Sequence, residues 1–78
     1  MTVRKGQYWY VDLSPAIGEE LGGIRKCLVV KKKKNLVQVI PSIYNGKYIY
    51  DKFHIRTIDI KRLKEKTKKA WQNKTSVL

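Results

Sequence analysis

The run Tyr8-Trp9-Tyr10-Val11-Asp12-Leu13-Ser14-Pro15 passes through Glu20-Leu21-Gly22-Gly23-Ile24-Arg25 into Cys27-Leu28-Val29-Val30. Aromatic and β-branched residues fill both flanks, and these are the side chains that suit a half-buried pleated surface. Pro15, Gly18, Gly22 and Gly23 interrupt the pattern between them. The reading is therefore a strand from Gly6 to Leu13, a loop from Ser14 to Gly23, and a strand from Ile24 to Lys31. A paired glycine lets the backbone turn tightly and approach a ligand closely. Arg25 then stands at the mouth of whatever groove the loop borders.

Working outward, Leu36 to Ile43 reads as the next strand, with Lys31-Lys32-Lys33-Lys34 and Asn35 at a hairpin tip. Tyr44-Asn45-Gly46-Lys47 carries the Asn-Gly signal of a type I′ turn, in which both central residues take positive φ. Tyr48 to Tyr50 pairs back from it, and Phe53 to Ile58 is the last strand. Asp59 has the character of a helix N-cap. Behind it, Ile60, Leu63, Thr67, Ala70 and Trp71 fall on one helical face, opposite a face that is almost solid lysine. Short strands followed by one terminal helix predict a mainly β chain, a small antiparallel barrel flanked by that helix. No repeat and no linker divides it, so residues 1–78 read as a single domain.

A chain of 78 residues buries a limited share of its surface, so association with a second copy is a natural way to enlarge its core. The 42% hydrophobic content argues against disorder. No apolar run reaches bilayer length and no signal peptide is legible, which predicts a cytoplasmic protein without membrane contact. Cys27 is the sole cysteine, so no internal disulfide can form. The net charge of +12 favours a polyanionic partner through counterion release. That charge lies mainly in Lys31 to Lys34 and in Lys61 to Lys74, where Glu65 is the lone acid. No spacing of Cys, His and carboxylates suggests a metal site, and no phosphate loop or dinucleotide fingerprint is present.

Asp12-Leu13-Ser14-Pro15, then Glu20-Leu21-Gly22-Gly23-Ile24-Arg25, then a β-branched run, resembles the MazF/PemK toxin family of endoribonucleases. Ile55-Arg56-Thr57-Ile58-Asp59 with Arg62-Leu63 is a second match in the right order. The resemblance covers roughly Gly6 to Val30 and His54 to Leu63, and between these the chain is shorter than in the family. It implies an SH3-like barrel shared with the gyrase poison CcdB, a homodimer, an acidic antitoxin partner, and cleavage of single-stranded RNA without metal or cofactor. Fold alone does not settle function.

In that chemistry the ribose 2′-hydroxyl attacks its own phosphorus, which leaves a cyclic phosphate and a 5′-hydroxyl. It needs a proton acceptor, stabilisation of the phosphorane and a proton donor. Arg25 matches the family's catalytic arginine, and its planar fork can hold two phosphoryl oxygens together. The family's catalytic threonine falls on Ile43, one place after Ser42. Alternation along a strand turns Ser42 to the opposite face unless a bulge near Pro41 restores its direction. His54 stands where the family has glutamine, two residues before Arg56 on the same strand face. It is the only imidazole and the one side chain suited to proton transfer near neutrality.

Glu20 belongs to the motif and is expected to orient Arg25 through paired hydrogen bonds. Leu21 replaces the family's glutamine, and Lys26 replaces a proline and adds a phosphate contact. Tyr44 and Tyr48 offer stacking surfaces to unpaired bases. Lys31 and Lys32 of the lysine block, with Arg56, complete the expected RNA contacts. Ordinary alternatives accompany each: a strand-end arginine, an idle half-exposed histidine, core tyrosines, a solvated hairpin tip. Beside the endoribonuclease stand a non-catalytic nucleic-acid-binding module on the same fold and, less favoured by the motifs, a CcdB-like gyrase toxin.

Overall fold

A computed structural model of the chain describes residues 2–18, 20–67 and 76–77. Its elements are β1 (Tyr8–Asp12), β2 (Ile24–Lys33), β3 (Leu36–Tyr44), β4 (Tyr48–Tyr50), β5 (Arg56–Asp59), β6 (Leu63–Lys66) and β7 (Ser76–Val77). Two 3₁₀ turns, Lys52–His54 and Ile60–Arg62, flank β5. The protein is mainly β, as the alternating pattern predicts. The strands run in the order β6-β1-β2-β3-β4-β7, and β5 pairs with β3. Every pairing is antiparallel except β4 with β7.

β3 organises the far side of this sheet. Its first half, Leu36 to Val39, pairs with β5, and its second half, Ser42 to Tyr44, pairs with β4. Pro41 sits where one partner gives way to the other, the place at which a missing N–H disturbs the ladder least. Opposite it lies Cys27, so no bulge interrupts β3 there. The bulge near Pro41 that would have redirected Ser42 is absent, and the register shift lies on β2, between Val29 and Lys31.

The end of the chain differs from its sequence reading. Residues 60–67 do not form the expected helix: Asp59 accepts from the Lys61 N–H at 2.8 Å, but it caps only the Ile60–Arg62 turn. Leu63–Lys66 then pairs with β1, and both the N–H and the hydroxyl of Thr67 donate to the Tyr8 carbonyl. The outer edge of β1 would otherwise leave a row of backbone groups unpaired, which outweighs a weak local preference for helix. Ala70 and Trp71 lie outside the described residues.

The Ile60–Arg62 turn also dictates the shape of the sheet. It joins β5, on the β3 side, to β6, on the β1 side. Laid flat, β6-β1-β2-β3-β5 would separate its outermost strands by roughly 19 Å at about 4.8 Å per step. The four Cα-to-Cα steps from Asp59 to Leu63 span at most about 14 Å, so the sheet must curl on itself. Its inner face gathers Val3, Trp9, Val11, Leu13, Cys27, Val29, Val37, Val39, Ile58 and Leu63 into one buried cluster. Among the described residues no pairing links the two ends, so the curled sheet is open and not a closed barrel.

The hairpins also differ in detail. Tyr44 pairs with Tyr48, which closes a loop of Asn45, Gly46 and Lys47 in which only Gly46 takes positive φ, in place of the expected type I′ turn. The tighter turn is at the lysine block, where Lys33 pairs with Leu36 and Lys34 is held at φ 54. A left-handed lysine is strained by about 1 kcal/mol or more. Lys34→Gly is expected to raise the unfolding free energy by roughly 0.5–1 kcal/mol, the relief being partly offset by glycine's chain entropy. Urea denaturation of both proteins measures this, and an unchanged or lowered midpoint would refute the strain.

Candidate nucleic-acid interface

The Ser14–Gly23 loop is held by arginines acting on backbone carbonyls. Arg56 Nη1 donates to the Leu13 carbonyl at 2.7 Å. Arg62 Nη1 donates to the carbonyls of Asp12 and Ser14. Arg25 Nε donates to the Gly22 carbonyl at 3.0 Å, and its Nη1 to the Ser42 carbonyl at 3.4 Å. The two glycines have separate reasons: a Cβ on Gly22 would come within 2.9 Å of the Ala16 Cβ, and Gly23 has φ 73. The Ser14 N–H donates to the Asp12 carboxylate at 2.9 Å and, as the main cause, holds that carboxyl below its usual range.

Beside the loop, Tyr10, Ile24, Arg25, Lys26, Ser42, Tyr44 and Tyr48 line an open cleft of about 170 Å³. Register explains the aromatic side of this grouping, whereas Arg25 lies opposite buried Val11 and reaches the cleft from the strand end, where it bonds the Gly22 and Ser42 carbonyls. Tyr10 lies opposite Lys26, and Tyr44 opposite Tyr48. Residues directly opposite share a face, so these side chains emerge together on the outside of the sheet. The rings of Tyr44 and Tyr48 meet edge to face at 4.9 Å, and Lys26 Nζ stands 4.4 Å from the Tyr48 centroid. Tyr44 is 65% exposed, which leaves its ring open to a partner. Burial, with help from Tyr10 and Tyr44, pushes the Tyr48 phenol above its ordinary value and keeps it neutral.

Two of the expected catalytic residues meet here, in different states. Arg25 is half-buried, and its Nη2 pair is free of partners among the described residues. Ser42 is buried and its hydroxyl donates to the Lys26 carbonyl at 2.5 Å, a strand-to-strand tie that leaves no exposed nucleophile. Ile43, at the position of the family's threonine, is 37% exposed and carries no polar group.

His54 lies elsewhere. It closes the Lys52–His54 turn rather than continuing a strand with Arg56, because Asp51 accepts from the Phe53 N–H and draws the chain round. Its Nδ1 meets Asp51 Oδ2 at 2.9 Å, and its Nε2 has no partner among the described residues. With Glu20, Leu21, Phe53, Ile55 and Arg56 it lines a second cleft of about 140 Å³. The two clefts share no lining residue. Glu20 accepts from the Ile17 N–H at 2.8 Å and makes no bond to Arg25 among the described residues, contrary to its expected orienting role.

The lysine block divides. Lys31 and Lys33 help line a third cleft, whereas Lys32 lies opposite Val37 on the other face. Tyr10, Asp51 and Arg62 carry parts of these sites that the sequence does not disclose. Tyr10 shares a parity with Tyr8, but only the register with Lys26 brings it into the cleft. Among the described residues no group of His, Cys, Asp and Glu could hold a metal ion, and no helix is long and apolar enough to cross a membrane. Neither a scan against protein-family models nor a search of curated proteins finds a match to this chain.

Cys27 supplies no nucleophile. Burial pushes its thiol from an ordinary 9.0 up to about 12, against the smaller opposing pull of Arg25 and Arg56. The folded chain then keeps a proton that the unfolded chain releases above its own pKa. Stability is complete below pH 9 and falls as the pH rises, by at most about 1.4 kcal/mol per unit. Between pH 9 and 10 unfolded-chain tyrosines, three of them raised in the fold, add to the decline, so Cys27→Val is expected to make it shallower without removing it. Urea midpoints across that interval check it, and identical slopes for the two proteins would contradict the burial argument.

Proposed function

We propose that this chain is a MazF/PemK-like endoribonuclease that seats single-stranded RNA in the Arg25 cleft and cleaves it without a metal. The observation that carries this reading is the cleft itself: Arg25 and Lys26 flanked by the rings of Tyr10, Tyr44 and Tyr48. A cationic groove with aromatic stacking surfaces matches a single strand's phosphates and unpaired bases. Of the motif that carries the family resemblance, Ile24 and Arg25 line this groove, and Arg25 bonds back to the Gly22 carbonyl. The curled sheet is compatible with the SH3-like barrel which that resemblance implies.

In the reaction the 2′-oxygen forms a bond to phosphorus while the bond from phosphorus to the 5′-oxygen breaks. The 2′-hydroxyl proton leaves to an acceptor, and the departing 5′-oxygen gains one. The free Nη2 of Arg25 is placed to stabilise the phosphorane oxygens and to hydrogen-bond the leaving oxygen. Among the described residues the Arg25 cleft holds no side chain suited to accept that proton; His54, its Nδ1 held by Asp51, lines the neighbouring cleft and serves as acceptor only where the scissile nucleotide itself spans the two. Glu20 and Arg56 line the His54 cleft. The same resemblance suggests a homodimer and an acidic antitoxin, and a net charge of +12 suits the latter.

A second reading, a non-catalytic RNA-binding module, is favoured by one observation: the Ser42 hydroxyl is engaged and His54 stands in a separate cleft. Product chemistry separates the two. Purified protein incubated with a long single-stranded RNA in EDTA is expected to yield cuts ending in cyclic phosphate. Arg25→Lys, which keeps the charge but loses the fork, is expected to abolish them while retaining binding. RNA left intact yet retarded on a gel would establish the binding module instead. In either case Tyr44→Ala is expected to weaken binding by roughly 1–3 kcal/mol, read by fluorescence anisotropy.

A further inference from the structure

The break in register on β2 changes which lysines face outward. Before it, Cys27 and Val29 point into the core opposite Pro41 and Val39. Undisturbed alternation would send Lys31 and Lys33 the same way. One residue is instead left over between Val29 and Lys31, so Lys31 comes to face Gln38, Lys32 faces Val37 and Lys33 faces Leu36. On the next strand Gln38 lies opposite Thr57 and Leu36 opposite Asp59. Two rows result on the outer face, Lys31–Gln38–Thr57 and Lys33–Leu36–Asp59. Lys31, Lys33, Leu36, Gln38 and Thr57 line a cleft of about 160 Å³ there.

The lining of this cleft is mostly apolar, and Lys31 and Lys33, both exposed, bring two positive charges to it beside Gln38 and Thr57. The acid beside it, Asp59, has one carboxylate oxygen already engaged by the Lys61 N–H. The cleft also lies on the same face as the Tyr10, Lys26, Ser42 and Tyr44 side of the Arg25 cleft, although Arg25 itself lies opposite Val11 on the inner parity of β2. Along β3, Leu36, Gln38, Ile40, Ser42 and Tyr44 share one parity, and Ser42 and Tyr44 line the Arg25 cleft. Gln38 is four residues from Ser42, about 14 Å along the strand. That distance is well within the run of about 4–16 nucleotides that a small β domain can hold.

We propose that the Lys31–Lys33 cleft is a second seat for the phosphate backbone of the same RNA strand, reached along the outer face of β3. This rests on the RNA reading of the Arg25 cleft and extends it. Bases stack at Tyr44 and Tyr48, and the strand then passes over the side chains that bury Ile40 to reach the lysines, which bind phosphate without reading sequence. The seat adds length-dependent affinity and leaves the choice of bases to the tyrosine end.

The test compares Lys31→Gln/Lys33→Gln with Lys32→Gln/Lys34→Gln, which removes the same charge from the other face and the turn. Anisotropy titrations at several salt concentrations use labelled oligouridylates of roughly three and roughly twelve nucleotides. All four lysines are exposed, and circular dichroism verifies the fold of each variant. For the longer strand, Lys31→Gln/Lys33→Gln is expected to lower the slope of log K against log salt by about 1.4, two phosphates at about 0.7 each. The control pair is expected to change that slope by less than half as much, and the short strand's affinity is expected to stay within about twofold in both variants. If the wild type binds the short strand but the two pairs alter the longer strand's slope equally, or the first pair not at all, the second seat is overturned and the Arg25 reading survives. If the wild type binds neither strand, the RNA reading falls and the second seat with it.

Discussion

A three-residue turn sets the shape of this protein. Ile60–Arg62 must carry the chain from a strand hung on β3 to a strand hung on β1, across a gap that a flat sheet would make too wide. Curling the sheet satisfies that limit and seals the inner face in the same step. The turn is fixed at both ends: the Ile60 N–H donates to the Asn35 carbonyl at the lysine hairpin, and Arg62 grips the carbonyls of Asp12 and Ser14. One short segment thus ties the hairpin tip, the core and the glycine loop together. The outer face, buried at Ile40, Ser42 and Tyr50, is where the aromatic and lysine clefts open on either side.

The electrostatics of that face follow from how the arginines are held. Arg25, Arg56 and Arg62 are positioned by carbonyl oxygens rather than by carboxylates. Among the described residues the one basic side chain in contact with a carboxylate is His54, beside Asp51. A carbonyl fixes a guanidinium's direction and leaves its charge uncompensated, so the cations around the loop stay available to an anion. Carboxylate partners would have steadied the same side chains and cancelled their field. The Asp51–His54 pair is the exception, and it belongs to the cleft that the sequence does not lead one to separate from Arg25.

The sequence is most legible where local chemistry and pairing agree. β1, β2 and β3 follow from alternation bounded by glycine, proline and lysine, and Tyr48–Tyr50 from the turn before it. Asp59 is a cap, as its position suggests, but the apolar spacing of Ile60, Leu63 and Thr67 fits a strand as well as a helix over so few residues. The bare edge of β1, which no local pattern reveals, decides between them. At the site, Arg25, Lys26, Tyr44 and Tyr48 do converge. Glu20, His54 and Arg56 gather elsewhere, because Asp51 bends the chain before β5. The β2 bulge leaves no mark in four consecutive lysines, so Lys31 and Lys32 cannot be told apart without the register.

The pairing of β1 with β6 has a kinetic side. β2 and β3 meet across a turn of two residues, but Thr67 and Tyr8 bond across a separation of 59. A hairpin closes within about 1–10 μs, whereas a chain grows at about 5–20 residues per second. The free edge of β1 therefore waits roughly 3–12 seconds on the ribosome for its partner to be made. An unpaired strand edge invites pairing with a neighbour's, and like charge is what holds neighbours apart. The lysines and arginines thus guard the nascent chain against its own copies before any ligand is bound.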